Sequence, residues 1–371
     1  MAIPAALAYR FAIVYRSRAG FPRRNPPLVD PASLGMPFES LDVPGPGGPL
    51  PAWFIPADEG RPAPGILLLH GWESARDRTL PNAQVLHAAG FHVLTVDVRG
   101  HGDNPPEVLP ISGGEFAADA RAALAVLADR PEVTRIGALG HSMGGIGVIL
   151  AAADDPRVEA LVVVAAPADP VRLTRQTFRL AHLPLPDLIA YPLAWLTARV
   201  YVRPRGHGVD RISATRAIAR YRGPLLLVHG TDDWAVPMAH HRRLARAARR
   251  GRAAEADPRP VRTLVIPGGA HSWQYEDEAY RRTVSAFLAE ALDGPLSPDD
   301  AAKRAAAVPA TRIVEHERPF AGLDHPSPRR RAILEILGAP VRLPETTQAK
   351  PSVPEPAAGP PEPLQGGPWT P

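Results

Sequence analysis

One short run limits what this chain can fold into more than any other: Gly140-His141-Ser142-Met143-Gly144, a G-x-S-x-G pattern between an apolar stretch and a stretch of small residues. In such a turn the serine sits where a strand reverses into a helix, in a strained backbone conformation. Glycines two before and two after it remove Cβ atoms that would otherwise collide. Upstream, Arg135-Ile136-Gly137-Ala138-Leu139 reads as a buried strand, and downstream residues 145–153 are small and apolar enough to pack as a helix on a sheet. Ser142 is therefore the candidate nucleophile, with the first amides of the following helix beside its hydroxyl.

A turn of this kind needs a sheet around it, and the chain supplies one. Ile66-Leu67-Leu68-Leu69, Val93-Leu94-Thr95-Val96, residues 136–139 and Leu161-Val162-Val163-Val164 are apolar runs separated by helix-length segments, the pattern of parallel strands. Leu225-Leu226-Leu227-Val228 and Thr263-Leu264-Val265-Ile266 add two more. Residues 38–43 and 50–55, joined by a Pro/Gly segment, read as a hairpin ahead of them. Phe116, Ala120, Leu124 and Leu127 mark one helix face, and Tyr280, Val284, Phe287 and Leu288 another. The expected fold class is α/β, a mostly parallel sheet of about eight strands with helices on both faces.

The expected organisation is an N-terminal arm (1–37), a main domain (38–291), an extension without an assigned role (292–343) and a tail (344–371). The main domain carries a partly helical cap at about 168–221, with Phe178, Tyr191 and Trp195 in it. Short helices are expected in the extension, for example around 329–337. The proline-rich tail has little apolar area to offset ordering entropy and is expected to be disordered.

Several function classes drop out. With no cysteine among 371 residues, disulfides and thiol chemistry are excluded. Phosphate-binding glycine loops and HExxH-type clusters are missing, so the reading calls for no cofactor and no metal. A net charge of +4 is too diffuse for nucleic acid. The basic run at 242–252 reads as a solvated helix face. Residues 1–15 are apolar but interrupted by Arg10 and too short to span a bilayer. They read as an arm against the domain or a membrane surface, which makes the expected location cytoplasmic with peripheral membrane contact.

A serine hydroxyl needs a base to take its proton and an acid to hold that base in the right tautomer. His271, in Pro267-Gly268-Gly269-Ala270-His271, follows a strand on a flexible loop, and Asp233 follows another in His229-Gly230-Thr231-Asp232-Asp233. Asp232, one residue away, competes for the acid role. The oxyanion needs donors already in place, for which the amides of Met143 and of Trp72, in His70-Gly71-Trp72-Glu73-Ser74, are best positioned. His141 reads as support beside the nucleophile, and Asp97-Val98-Arg99-Gly100-His101-Gly102 as a structural turn near the site. Glu73 and Asp77 read as a solvated helix start, with an anchor for a substrate amine as the sharper option.

Taken in order, His70-Gly71-Trp72, Asp97 to Gly102, Gly140 to Gly144, His229 to Pro237 and Gly269-Ala270-His271 resemble the α/β-hydrolase superfamily over residues 38–291. The likeness is to the serine-hydrolase branch of bacterial esterases, lysophospholipases and serine aminopeptidase-like proteins. That resemblance implies an eight-stranded sheet with a lid above the nucleophile, and it puts the acid four residues after His229, at Asp233. Gly35-Met36-Pro37 and Trp53-Phe54-Ile55-Pro56 match it too. The family's usual Asp-Gly turn between the first strands is replaced here by the Pro/Gly segment, and residues beyond 291 have no counterpart.

The expected activity is hydrolysis of a carboxylic ester, on a small-molecule or lipid-like acyl substrate. Amide or peptide cleavage, and a binding protein on a hydrolase scaffold, stay open at this level.

Overall fold

The architecture follows from strands that are apolar on both sides. In a computed structural model, which describes residues 2–57, 61–253, 255–256 and 259–313, eight strands form one sheet: β1 (Glu39–Gly45), β2 (Gly48–Ile55), β3 (Ala63–Leu69), β4 (His92–Val96), β5 (Val133–His141), β6 (Val158–Val164), β7 (Leu225–Gly230) and β8 (Val261–Ile266). Their order across the sheet is β1-β2-β4-β3-β5-β6-β7-β8, with β1 and β2 antiparallel at one edge and the other six parallel. This is the α/β-hydrolase arrangement. The helices expected around 329–337 and the 344–371 tail lie outside the described residues.

Alternation along β3 divides the interior in two. Leu67 and Leu69 face one side, where α3 (Gly113–Ala128), α4 (Met143–Ala152), α7 (Ala214–Ile218) and α8 (Ala239–Arg252) pack. Ile66 and Leu68 face the other, covered by α2 (Leu80–Ala88), α9 (Glu278–Ala291) and α10 (Pro298–Ala307). The first turn of α3 is fastened by a capping box, in which Gly114 N–H donates to Ser112 Oγ and Ser112 N–H to Glu115. In α8, Arg242, Arg243, Arg246, Arg249 and Arg250 are exposed as the sequence implied. Arg252 departs from that reading: it is buried, and its guanidinium donates to the carbonyls of Tyr221 and Gly223.

Between β6 and β7 lie α5 (Pro170–Leu180), α6 (Asp187–Val202), a 3₁₀ turn at Arg203–Arg205, and α7. Helix α1 (Ala2–Ala19) packs on α6, turning Ala8, Phe11, Ala12, Tyr15, Arg16 and Ala19 inward at helical spacing. The Phe11 ring meets Phe178 edge-on at 5.5 Å, the Tyr15 hydroxyl is 2.6 Å from Thr177 Oγ1, and Arg16 donates to the Val200 carbonyl. The opposite face of α1 leaves Leu7, Tyr9 and Ile13 exposed beside Arg10, while Val14 and Arg18, also exposed, sit at the edge of the packed face and line the cavity under the helix. No helix among the described residues is long and apolar enough to cross a membrane.

Past the main domain, α10 buries Ala301 and Ala305 against α9 and α2, and the chain then runs back toward the sheet's C-terminal edge. Arg312 pairs with Glu276 at 2.5 Å and lies over the Trp273 ring, while the Ile313 carbonyl accepts from Arg78. The face of α10 is alanine only, too weak a pattern to read from sequence.

One very close backbone approach lies where β5 turns into α4. A Cβ on Gly144 would stand 2.2 Å from the Leu69 carbonyl oxygen and 2.4 Å from that of His70, and one on Gly140 2.4 Å from the Gly144 carbonyl oxygen. These are backbone atoms that cannot swing aside. Gly144→Ala is therefore expected to destabilise the protein by about 3 kcal/mol, the upper range for overpacking. The readout is a lower urea midpoint at unchanged m-value, and a midpoint equal to the parent's would overturn the close-approach account.

Candidate active site

The nucleophile elbow forms because α4 must start directly above the end of β5. Ser142 takes φ 53° and ψ −117°, a conformation that L-residues rarely adopt, and its N–H is held by the Val164 carbonyl of the neighbouring strand at 2.9 Å. Its Oγ lies 3.0 Å from His271 Nε2. His271 stands on the loop after β8, where its Nδ1 is 2.8 Å from Asp233 Oδ2. A carboxylate can only accept, so Nδ1 carries the proton and the Nε2 lone pair faces the serine.

The acid and base loops meet at their backbones: a Cβ on Gly230 would be 2.0 Å from the Gly269 carbonyl oxygen. That closeness brings Asp233 under the imidazole. Its Oδ1 accepts the Val236 N–H at 2.7 Å, and His229 Nε2 lies 3.3 Å from Oδ2. Burial alone would raise the Asp233 carboxyl, but His271, His229 and the Val236 amide outweigh it and hold the group well below the usual carboxylate range. Asp232, by contrast, is exposed and accepts from Thr231 Oγ1, while its N–H caps the Gly269 carbonyl. Of the two aspartates, only Asp233 reaches His271.

The base has further support. His141 Nε2–H donates to the His271 carbonyl at 2.8 Å, and Gln274 Nε2 donates to the same oxygen at 2.7 Å. Burial and the neighbouring His271 push His141 down to about 4, so it is neutral near pH 7. Gln274 belongs to no motif and leaves no trace in the sequence pattern.

On the opposite side of the serine runs the loop after β3. Gly71 passes so close that a Cβ there would be 3.2 Å from Ser142 Cβ, which brings Trp72 beside the nucleophile. Met143 opens α4, so its N–H has no partner within the helix. His70 shapes the loop: burial pushes it down to about 3, and the neutral ring donates from Nδ1 to the Gly71 carbonyl while Nε2 accepts the Val98 N–H. Behind it, Asp97 accepts from Arg76 and from the Asp103 N–H, and Gly102 is required there because a Cβ would strike that carboxylate at 2.1 Å. The Asp97–Gly102 segment is thus a brace for the loop.

Glu73 and Asp77 are not a solvated helix start, and this corrects the sequence reading. Asp77 is fully buried and accepts the Leu28 N–H at 2.8 Å, while Glu73 accepts the Arg23 N–H and a Trp72 hydrogen bond. Asn25 adds a bond to the Glu73 carbonyl. Both carboxyls, raised by burial, tie the proline-rich arm down onto the loop that carries Trp72. The arm was too far away in sequence for this to be legible.

Comparison with known proteins agrees with this geometry. Residues 60–216 match the family described as "Serine aminopeptidase, S33". A monoacylglycerol lipase of Mycolicibacterium smegmatis is 30% identical over 240 residues, covering 57% of this chain and 82% of that protein. An uncharacterised protein of Mycobacterium tuberculosis is 29% identical over 262 residues, 70% of this chain and 79% of its own length. Among solved structures, an esterase of Pyrococcus furiosus superposes with a TM-score of 0.58 at 20% identity, over 73% of this chain and 98% of that one. The chain belongs to the α/β-hydrolase superfamily, among its serine hydrolases.

Proposed function

We propose that the protein hydrolyses a carboxylic ester through an acyl-enzyme on Ser142. The observation that carries this reading is the continuous relay from Ser142 Oγ to His271 at 3.0 Å and from His271 to Asp233 at 2.8 Å. Ser142 Oγ attacks the ester carbonyl carbon while His271 Nε2 takes its proton. The Trp72 and Met143 amides bind the oxyanion, and losing one such donor costs on the order of 3 kcal/mol of transition-state stabilisation. Collapse breaks the acyl–oxygen bond, and the leaving alkoxide takes the proton from His271. Water then attacks the acyl-serine with His271 again as base, releasing the acid and restoring Ser142. Asp233 keeps the imidazole in the productive tautomer and stabilises its cationic form.

Peptide cleavage from a free N-terminus would call for an uncommitted carboxylate near the oxyanion loop. Glu73 and Asp77 already accept from the arm, which favours the ester over the aminopeptide. We also assign residues 1–15 a peripheral contact with membrane surfaces from the cytoplasmic side. The exposed Leu7, Tyr9 and Ile13 together with Arg10 and Arg18 support it, since apolar and basic groups on one helix face suit an anionic lipid interface.

Three outcomes test these assignments. A fluorophosphonate probe should label Ser142 in peptide mass mapping, and Ser142→Ala should abolish turnover of p-nitrophenyl acetate; a folded protein that never labels there overturns the nucleophile. Asp233→Asn should lower kcat by about 10²–10⁴, whereas Asp232→Asn should cost less than about tenfold. Equal losses would reject the acid. Finally, the protein should co-sediment with vesicles containing phosphatidylserine more than with neutral ones, and the Leu7→Asp, Ile13→Asp double variant should lose most of that partition. Unchanged partition of the variant would rule out α1 as the contact.

A further inference from the structure

The interior beside Ser142 is divided into two unequal spaces. A cavity of about 550 Å³ lies between the elbow and helices α1, α5 and α6, in the size range of sites that enclose whole ligands. Met143 and Trp72, the two residues assigned to the oxyanion, form part of its wall, so it begins one residue from the reacting hydroxyl. A space of about 60 Å³ on the other side is lined by Ser142, His271, His141, Ser74 and Asn82, and shares Trp72 with the first. Trp72 therefore borders both spaces.

The large cavity is lined mainly by carbon, with Arg18, Glu73 and the Thr174 hydroxyl as polar groups on its wall. Phe11, Leu173, Ile146 and Val202 are among its walls. The tyrosine hydroxyls at its edge are committed elsewhere: Tyr15 to Thr177 Oγ1 at 2.6 Å, and Tyr201 to the Ile111 and Ala19 carbonyls at 2.6 and 3.1 Å. A ligand there gains mainly from burying apolar area. The cavity is also long. Its wall on α1 runs from Phe11 to Ala19, roughly 12 Å at the helical rise. Extended chain advances about 3.5 Å per three bonds, so roughly ten methylenes fit along that wall.

We propose that this cavity holds the unbranched acyl chain of a medium- to long-chain fatty acyl ester, and that α1 is a specificity-determining wall of it. The small space beside Ser142 and His271 receives the alcohol. This assignment rests on the esterase reading above and adds to it a substrate class, together with a role for an N-terminal helix that lies outside the family match at residues 60–216.

The test is a series of p-nitrophenyl esters from acetate to palmitate, each below its critical micelle concentration, with the full chain. kcat/KM should rise by about two- to fourfold per methylene up to about ten carbons and then level off, as burial of successive methylenes in a finite cavity requires. Two variants aim at the walls. Leu173→Trp fills the cavity. Val14→Asp puts a charge on the α1 wall at a position 44% exposed, where folding tolerates it. Each should reduce the decanoate-to-acetate ratio of kcat/KM at least tenfold, a ratio that cancels differences in active fraction between preparations. A flat or falling chain-length profile, with acetate turned over and Ser142 labelled, overturns the acyl-chain assignment while leaving the esterase reading intact. An unchanged ratio in Val14→Asp overturns the role of α1, and an unchanged ratio in Leu173→Trp overturns the cavity as the acyl site. No turnover of any ester and no labelling of Ser142 would mean that the esterase reading itself has failed, and this assignment with it.

Discussion

The contact between the start of α4 and the end of β3 is the constraint on which the rest of the site depends. For Ser142 to stand above the sheet, the helix has to begin within a turn of the strand, and its backbone must then pass against the carbonyls of Leu69 and His70. Only glycine at 144 permits that approach, and only glycine at 140 lets the strand leave beneath it. The same approach brings Gly71 and Trp72 to the nucleophile, because they continue directly from those carbonyls. Ser142 and the loop carrying Trp72, the proposed nucleophile and oxyanion loop, are in this sense a single packing solution, and the positive φ of Ser142 is part of it.

The other half of the site is assembled by hydrogen bonds between loops. The Gly230–Gly269 approach brings the acid loop to the base loop, and the His271 carbonyl is gripped by His141 from the elbow and Gln274 from its own loop. His271 and Gln274 are buried and His141 is half-buried, and leaving such groups unsatisfied costs more than the bond is worth. The histidines at 70 and 141 stay neutral for the same reason, which lets each act as a fixed donor.

Two segments outside the main domain reach the site, one before it and one after it. The arm following α1 is pinned by Glu73 and Asp77, next to Trp72, and α1 itself covers the large cavity. From the second, Arg312 and Ile313 close over Trp273 and Arg78, and Ile313 lines the small space beside Ser142. The loops of the sheet supply the chemistry, while these additions supply the walls. On the proposed esterase reading, the shape of these walls selects the acyl group, and the selectivity lies in segments outside the shared scaffold.

From sequence alone, apolar runs and a Pro/Gly-joined hairpin mark all eight strands and the glycine spacing marks the elbow, because both are local: strand burial and Cβ collisions are set by near neighbours in the chain. The order of a serine, an aspartate at 232 or 233 and a histidine is legible for the same reason, each sitting just past a strand, and the family resemblance puts the acid at Asp233. What the chain could not disclose by itself is everything set by loops meeting across the sheet. Asp233 and Asp232 differ by one residue in sequence, and only the Gly230–Gly269 contact turns the first toward His271 and the second to solvent. Glu73 and Asp77 look solvated until the arm lies on them, and the alanine face of α10 carries too little apolar area to announce a helix that packs. Likewise the cavity under α1 exists only once α1 and the distant helices α5 and α6 come together, since a void is a property of surfaces brought together and has no local sequence signature.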